Sequence, residues 1–366
     1  MTSLNAENRR ADAWRLCVAP MMDWTDRHCR YFHRLLAPHA RLYTEMVTTG
    51  AVLHGDRARL LAFDPAEHPV ALQLGGSEPE ELARAARIGA EFGFDEINLN
   101  CGCPSDRVQK GRFGACLMVE PGRVRDCLVA MREAVAVPVT VKTRTGVDEH
   151  DSEEFLHRFV ATVAESGVGT VIVHARKAWL NGLSPKENRE IPPLDHDRVA
   201  RLASGFPQLC LVLNGGLESP ARALAELARL DGVMLGRAAY RNPWILAELQ
   251  DALAPGSAPP DREAVVARMA GYADAQLAHG VRFQAVARHM LGLFHGRPGA
   301  RAWRRMLSRD MHRDDADGAL LVAALEAVRR SAPGGADRSR PGRKTASAAA
   351  MIRGARGARS GDSVLT

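Results

Sequence analysis

The chain has 366 residues, a formal net charge of +6 and 46% hydrophobic content, enough apolar material for one large domain and a smaller one. It contains no apolar run near the roughly 20 residues that a membrane-spanning helix requires. The N-terminal segment is polar, and the seven cysteines are odd in number without a disulfide-framework spacing. These features argue against a secreted or membrane protein and predict a cytoplasmic one.

Short β-like runs recur along the first two-thirds of the chain, and a helix-like segment follows each of them. The runs are Leu16–Ala19, Leu42–Met46, Val70–Leu74, Glu96–Asn100, Val139–Thr143, Thr170–Ala175, Leu211–Asn214 and Gly232–Gly236. Eight strands that alternate with helices predict an α/β fold, a (β/α)8 TIM barrel over residues 1–253.

Two of the intervening helices have clear boundaries in the sequence. They are predicted over Glu78–Phe92 and Arg123–Ala136. Ser77 stands before an acidic first turn and is therefore expected to be the N-cap residue of the first of these helices.

Polar residues stand where each predicted strand ends, at the face where TIM barrels place their active sites. They are Pro20 with Met21, Glu45 with Met46, Gln73, Asn100 with Cys103, Lys142 with Arg144, His174 with Arg176, Asn214 with Gly215 and Gly216, and Gly236 with Arg237. The glycines after strands seven and eight, with the Arg237 side chain, lie at the usual phosphate position of this fold and predict a phosphate cradle.

The stretch Asn98–Ser105 carries the candidate catalytic acid. Gly102 permits a tight turn and Pro104 fixes the backbone just after Cys103, so the thiol is expected at the barrel mouth beside Asn100. An ordinary buried thiol remains an alternative, because unpaired cysteines are often buried. Zinc binding is disfavoured, since no second pair of cysteines or histidines follows at ligand spacing, and no metal is expected.

Lys142 lies inside a strand of β-branched residues, and His174 ends an apolar run. Because these strands should be covered on both sides, an inward functional lysine is favoured over a solvated one. Lys142 is a candidate either for a Schiff base or for a contact with the pyrimidine ring of a flavin. A single histidine in this setting is often a core residue, but its position matches that of Lys142.

The segment from Arg176 to Asp195 is too long for an ordinary connection after a strand, so it is either a functional lid or disordered. Its apolar residues, Trp179 among them, argue against disorder. Lys186 and Arg189 supply positive charge for a ligand, although both could be solvated surface residues.

Beyond a linker at 254–260, residues 261–332 show helical periodicity and predict a small helical domain. Residues 260–332 hold 12 Lys+Arg against 8 Asp+Glu, and 333–366 hold 7 against 2. Arg301 and Arg304 are neighbours on one predicted helix and are candidates for gripping a phosphate or a base edge. The segment 333–366 is predicted to be a disordered basic tail. A basic C-terminal third indicates a polyanionic partner such as nucleic acid.

Several of these stretches together resemble the bacterial tRNA-dihydrouridine synthases, and specifically the subfamily that modifies uridines 20 and 20a of the D-loop. The matching stretches are Ala19–His28, Leu42–Gly50, Glu96–Ser105, Val141–Arg144, His174–Leu194, Asn214–Gly216, Met234–Arg237 and Arg288–Phe294. The resemblance covers residues 14–330, and it implies an FMN-containing barrel, NADPH as reductant and a helical domain that binds tRNA.

The resemblance also implies roles for individual residues. Cys103 would donate a proton to C5 of uracil. The FMN contacts would be Ala19, Pro20, Met21, Gln73, Lys142, His174, Asn214, Gly215, Gly216, Gly236 and Arg237. The tRNA contacts would be Asn100, Lys186, Arg189, Arg301 and Arg304. Cys101 departs from the family pattern, which has an apolar residue there.

The implied reaction reduces the C5–C6 bond of uracil, with a hydride from reduced FMN to C6 and a proton from Cys103 to C5. The uridine must leave its stack to reach the barrel, which would account for an RNA-binding domain beside the active site. Alternatives are an FMN-dependent reductase of a small pyrimidine, a Schiff-base aldolase that uses Lys142, and a noncatalytic RNA-binding barrel. A monomer is expected.

Overall fold

The computed structural model describes residues 12–256 and 260–331, and within them eight parallel strands form a closed barrel. The strands are β1 Leu16–Val18, β2 Arg41–Thr48, β3 Val70–Gly75, β4 Glu96–Cys101, β5 Val139–Arg144, β6 Thr170–His174, β7 Cys210–Asn214 and β8 Gly232–Leu235. They pair in sequence order, and β1 closes the barrel against β8 with Leu16 opposite Val233. The predicted TIM barrel is therefore confirmed.

The helices of the barrel lie between consecutive strands, as the alternating pattern predicts, except the last, which follows β8. They are Arg27–Leu36, Thr49–His54, Arg57–Leu60, Pro79–Glu91, Asp106–Lys110, Pro121–Ala134, Glu153–Ala164, His196–Gly205, Pro220–Glu226 and Arg237–Arg241. Short 3-10 helices occur at Pro65–Glu67, Gly114–Val119 and Glu187–Arg189.

The predicted N-cap at Ser77 is wrong. The N-cap residue is Glu78, in an extended conformation with φ of −98° and ψ of 120°. Pro79 disfavours helical geometry at the residue before it, so the helix begins only at the proline itself. The carbonyl of Ser77 instead accepts a hydrogen bond from Arg123 Nε at 2.9 Å.

A buried cluster fills the barrel interior near its N-terminal end, where Trp14, Tyr43, Ile172, Val212 and Met234 pack together. Strands β3 and β4 are buried along their whole length. This packing follows from helices covering the outside while side chains from alternate strands fill the centre.

The chain divides into two compact units between Pro243 and Trp244. This boundary comes before the expected barrel limit at residue 253, because the helix Trp244–Leu253 belongs to the second unit. The Arg262 guanidinium lies 3.6 Å from the centre of the Trp244 ring and fastens this helix to the next one.

The second unit is helical over its described part. Its helices are Trp244–Leu253, Arg262–Ala278, Phe283–Ala287, Ala300–Asp310 and Gly318–Ser331, with a 3-10 turn at Arg288–Met290. Trp303 is fully buried, packs with its ring centre 4.9 Å from that of Phe294 and donates a hydrogen bond to the Met290 carbonyl at 2.9 Å. The predicted tail 333–366 lies outside the described residues, and the linker 254–260 is described only in part.

Among the helices that the structure describes, none is both long and apolar enough to cross a membrane.

Candidate active site at the C-terminal ends of the strands

Register places the predicted strand-end residues beside one another at the barrel mouth. Asn100 lies opposite Lys142, and His174 lies opposite both Arg144 and Asn214. The Lys142 ammonium donates a hydrogen bond to Asn214 Oδ1 at 3.0 Å, and Asn214 Nδ2 donates to the Met234 carbonyl at 2.7 Å. Strands β4 to β8 thus share one polar surface.

The charge state of Lys142 is shaped by its surroundings. Burial, and then the charge of Arg144, lower the pKa of Lys142 to about 7. The ammonium is therefore easily deprotonated near neutral pH, and an anion placed beside it would hold its proton in place.

Other cations crowd the same mouth. Burial, followed by the charges of Arg144, Lys142, Arg176 and Arg189, lowers the pKa of His174 well below its usual value. Partial burial, and then the charge of Arg237, lower the pKa values of both Arg176 and Arg189. Positive groups that disfavour one another's charge would be stabilised by an anion, so this mouth suits a phosphate-bearing cofactor and a polyanionic substrate.

The turn after β7 accepts only glycine. Gly215 and Gly216 have φ of +105° and +67°. A Cβ on Gly215 would lie 2.8 Å from His174, and one on Gly216 would lie 2.3 Å from Leu194. The backbone can therefore approach a ligand closely here, as a phosphate cradle requires.

The end of β8 adjoins the end of β1. The Ala19 N–H donates to the Leu235 carbonyl at 2.8 Å, and Pro20 follows Ala19 directly. The Cβ of Ala19 and the sulfur of Met21 lie 4.0 Å from where a Cβ would stand on Gly236. All four residues were predicted as cofactor contacts, and the structure brings Ala19, Met21 and Gly236 together.

Cys103 is held on its turn by Asn100. Asn100 Oδ1 accepts hydrogen bonds from the N–H groups of Gly102 and Cys103, at 3.1 and 3.0 Å. The Cys103 carbonyl accepts from the Ala115 N–H at 2.9 Å, and its thiol lies 3.5 Å from Ser105 Oγ. The thiol is partly exposed and its backbone is fixed, which is what a proton donor needs.

Cys101 lies in a different environment. It is fully buried, and this burial raises the pKa of its thiol well above the usual value. The second thiol of the motif is thus kept protonated inside the barrel wall.

Arg144 connects the Cys103 turn to the long loop after β6, residues 176–195, which we call the strand-six loop. Its Nε donates to the Gly102 carbonyl at 2.8 Å, and its NH1 donates to the carbonyls of Lys177 and Asn188 at 2.9 and 3.0 Å. Burial lowers the pKa of Arg144 to about 10. The sequence placed Arg144 at a strand end but gave no sign of this connecting role.

The strand-six loop is ordered, which favours the lid over the disordered alternative. Asn188 is fully buried and donates to the carbonyls of Trp179 and Leu183 at 2.8 and 3.1 Å. Lys186 and Arg189 are exposed on this loop. The loop therefore presents positive charge from a fixed backbone.

The remaining predicted RNA contacts occupy different settings. Asn100 is buried, and both ends of its amide bond within the protein, since Nδ2 donates to Gln73 Oε1 at 2.8 Å. Arg301 and Arg304 are exposed in the second unit, where they line a cavity of about 500 Å³ with Arg297 and Arg305. These roles in RNA binding stay predictions.

Two features of the mouth were missed from the sequence. The rings of Trp24 and Tyr240 stack with their centres 4.3 Å apart. Glu190 forms an ion pair with Arg237 at 2.6 Å. Neither contact could be predicted from a sequence pattern, because each joins residues that are far apart in the chain.

In residues 12–256 and 260–331, no group of three or more His, Cys, Asp or Glu side chains is arranged to hold a metal ion.

A family model and several similar proteins match this chain. A family model described as dihydrouridine synthase matches residues 17–329. The chain is 58% identical over 319 residues to the tRNA-dihydrouridine(20/20a) synthase of Xanthomonas axonopodis, covering 87% of this chain and 95% of that protein. It is 57% identical over 312 residues to the protein of that name from Shewanella oneidensis, covering 85% and 93%.

A third relative of the same name, from Vibrio parahaemolyticus, is 55% identical over 316 residues, covering 86% of this chain and 97% of that protein. Among solved structures, a 2-naphthoyl-CoA reductase in complex with 2-naphthoyl-CoA matches with a TM-score of 0.51 and 11% identity, over 64% of this chain and 49% of the other. This last likeness shows the shared barrel fold alone.

Proposed function

Because the chain belongs to the dihydrouridine synthase family, we propose that it reduces uridines 20 and 20a of tRNA to 5,6-dihydrouridine, with FMN bound in the barrel and NADPH as reductant. Enzymes of this family are flavin-dependent, and the finer assignments of FMN, NADPH and the two positions are part of the proposal. We further propose that it acts in the cytoplasm as a monomer.

One observation carries the chemistry of the proposal: Cys103 stands partly exposed on a turn whose N–H groups are fixed by Asn100. Reduction of the C5–C6 bond adds a hydride at C6 and a proton at C5. Cys103 would give its thiol proton to C5, and the resulting thiolate would regain a proton from solvent. The buried Cys101 thiol has no path to a substrate at the mouth.

A bound flavin supplies the hydride. In this protein, the side chains of Gln73, Lys142 and Asn214 would bind the polar edge of the flavin ring system. The phosphate would lie against the backbone of Gly215, Gly216 and Gly236 and against the Arg237 side chain. The crowding of cations and the glycine-only turn support this assignment, since both suit an anionic phosphate group.

Lys142 and His174 would serve this site in different ways. Lys142 can carry a proton and donate hydrogen bonds, while burial and then the nearby cations lower the pKa of His174 and keep it neutral. A lysine whose pKa is about 7 also meets the chemical requirement of a Schiff-base enzyme. Membership of the flavin-dependent family supports the first role for Lys142.

Positive side chains in both units would bind the RNA. Lys186 and Arg189 lie on the ordered strand-six loop, and Arg301 and Arg304 line the arginine-rich cavity of the second unit. Phosphate contacts from two elements fix the orientation of a large RNA, which selects the uridine that enters the barrel.

The test uses the purified full-length protein with unmodified tRNA transcript and NADPH. We expect a yellow protein that forms dihydrouridine at positions 20 and 20a, mapped by reverse transcription after borohydride treatment. Free uracil and orotate should be turned over far more slowly than tRNA. Rapid reduction of a free pyrimidine without reduction of tRNA would instead support the small-molecule reductase.

A further inference from the structure

An unbroken chain of buried polar side chains runs inside the barrel wall from Glu96 to the turn that carries Cys103. Each successive pair is hydrogen-bonded, in the order Glu96, Thr140, Asn98, Gln73, Asn100 and the backbone N–H of Cys103. All five side chains are at least nine-tenths buried. The proposed function uses only the last part of this chain.

This series of hydrogen bonds begins at the Glu96 carboxylate, whose oxygens accept hydrogen bonds. Glu96 Oε2 lies 3.2 Å from the Arg41 guanidinium and accepts from Trp14 Nε1 at 2.7 Å, while Oε1 accepts from the Tyr43 hydroxyl at 2.7 Å. The Arg41 guanidinium supplies the opposite charge, and with donors from Trp14 and Tyr43 both carboxylate oxygens act as acceptors. Burial and the charge of Glu96 raise the pKa of Tyr43 well above its usual value, so Tyr43 keeps its proton and donates.

An acceptor at one end fixes the direction of every bond that follows. Thr140 has a single hydroxyl proton and gives it to Glu96 Oε1 at 2.5 Å, so its oxygen must accept from Asn98 Nδ2 at 2.8 Å. With its amide nitrogen so placed, Asn98 presents Oδ1 to Gln73 Nε2, at 2.7 Å.

The same reasoning determines the orientation of the amide groups next to the Cys103 turn. Gln73 presents Oε1 to Asn100 Nδ2, at 2.8 Å, and Asn100 must then present Oδ1 to the N–H groups of Gly102 and Cys103. If the direction were reversed, the Asn100 amide nitrogen would face two backbone donors, and neither hydrogen bond could form.

We propose that Glu96 and Thr140 are positioning residues for Cys103, because they set the hydrogen-bond direction that orients the Asn100 amide beneath the Cys103 turn. This inference rests on the proposed role of Cys103 as proton donor. This role differs from simple packing. A substitution that keeps the side-chain volume but removes the hydrogen-bond donor should change the reactivity of Cys103.

The experiment compares three variants on β5. Thr140→Val keeps the size and β-branching of the side chain but removes the hydroxyl, whereas Thr140→Ser keeps the hydroxyl. Thr143→Val is the matched control, because Thr143 is equally buried but its hydroxyl lies only near backbone carbonyls, those of Cys101 and Arg144. Each protein is loaded with FMN before measurement.

Two readouts separate positioning from packing. The first is the rate of tRNA reduction beside the rate of flavin reduction by NADPH. The second is the rate at which iodoacetamide alkylates Cys103 without substrate, located by mass spectrometry. Thr140→Val leaves a buried hydrogen bond unmade. We therefore expect its rate of tRNA reduction to fall about tenfold and the rate of Cys103 alkylation to rise about tenfold. Flavin reduction should change little, and Thr140→Ser and Thr143→Val should stay near the unaltered protein in both readouts.

Glu96→Gln gives an independent test. The amide oxygen of the new glutamine would face the donors of Trp14 and Arg41. Its amide nitrogen would then donate to Thr140, which reverses the direction of the hydrogen bonds between Thr140 and Asn100. The expected changes have the same sign as those of Thr140→Val, so a folding failure of one variant leaves the other to decide.

Unchanged tRNA reduction and unchanged Cys103 alkylation in a folded Thr140→Val or Glu96→Gln protein would overturn the inference. Cys103→Ala distinguishes this from failure of the proposed function. If Cys103→Ala reduces tRNA normally, the proposed acid is wrong, and the alkylation rates still show whether the chain positions the Cys103 turn.

Discussion

Glu190 and Arg237 form an ion pair at the barrel mouth, with 2.6 Å between the carboxylate and the guanidinium. A second nitrogen of Arg237 donates to the Arg189 carbonyl at 3.0 Å. The hydrogen bond from Arg237 lowers the pKa of Glu190, so the carboxylate is charged at neutral pH. Since Arg237 is the side chain proposed for the cofactor phosphate, Glu190 competes with that phosphate for the same cation.

Glu190→Gln should therefore tighten FMN binding. Removal of one exposed negative charge near a phosphate predicts a decrease in Kd of roughly threefold, larger at low salt. The measurement is titration of flavin-free protein with FMN, followed by flavin fluorescence. Glu187→Gln is the matched control, because Glu187 caps the Ser184 N–H on the same loop. Weaker FMN binding by Glu190→Gln would mean that Glu190 orients Arg237 instead of competing for it.

Arg237→Ala should weaken FMN binding by about 1.5–3 kcal/mol, the value of a charge-assisted hydrogen bond. Arg241→Ala, an exposed arginine at the end of the same short helix, should leave FMN affinity near that of the unaltered protein. Equal losses in the two variants would indicate a general charge effect and remove Arg237 from the phosphate site.

Lys142 should give the flavin-free protein a characteristic pH dependence of stability. Its pKa is about 7 in the folded protein, below its ordinary value, so between these two pH values the unfolded chain binds more protons. The free energy of unfolding should therefore rise with pH above 7. In Lys142→Met this rise should shrink by up to about 1.4 kcal/mol per pH unit.

Urea unfolding between about pH 7 and 8 measures this slope, because the range lies below the ordinary pKa of free thiols. Identical slopes for the Lys142→Met and unaltered proteins would show that Lys142 is not held in a destabilised charged state.

The sequence predicted the strands and their polar ends well, because both follow from local patterns. Short β-branched runs bounded by glycine or charged residues recur with helices between them, and parallel pairing then brings all strand ends to one face. Lys142 stood out for the same reason, as a charge inside an apolar run. Glu96 gave no such signal, because it stands beside Asp95 at the start of β4. Its partners come from the segment before β1, from β2 and from β5, and only the closed barrel brings them together.

Features that depend on distant or competing contacts were not predictable. Pro79 places the N-cap at Glu78 instead of Ser77, and the helix Trp244–Leu253 belongs to the second unit instead of the barrel. The ion pair of Glu190 with Arg237 joins the strand-six loop to the helix that follows β8. Such contacts arise from tertiary structure and leave no periodicity in the sequence.

The arginine-rich cavity of the second unit should contribute to RNA affinity. Arg301→Ala/Arg304→Ala should weaken tRNA binding and lower the salt dependence by about one unit of slope for each phosphate that is no longer bound. Arg309→Ala/Arg313→Ala is the control, because Asp310 and Asp315 already neutralise those two arginines. NADPH oxidation by the bound flavin should be unchanged in both.

Truncation after residue 332 should act differently from these substitutions. A basic segment that contributes only nonspecific attraction should flatten the salt dependence without moving the modified position. If the truncated protein is inactive while Arg301→Ala/Arg304→Ala is normal, the RNA surface has been assigned to the wrong part of the chain.

The central claim, that Cys103 protonates the uracil ring, is tested most directly by stopped-flow measurement of each half-reaction alone. Cys103→Ala should bind FMN and be reduced by NADPH at the normal rate, yet the reduced protein should not be reoxidised by tRNA. Cys101→Ala removes the buried thiol two residues earlier. It should be reduced by NADPH and reoxidised by tRNA at rates near those of the unaltered protein. Reoxidation by tRNA at comparable rates in the two variants would contradict the assignment of Cys103 as the proton donor.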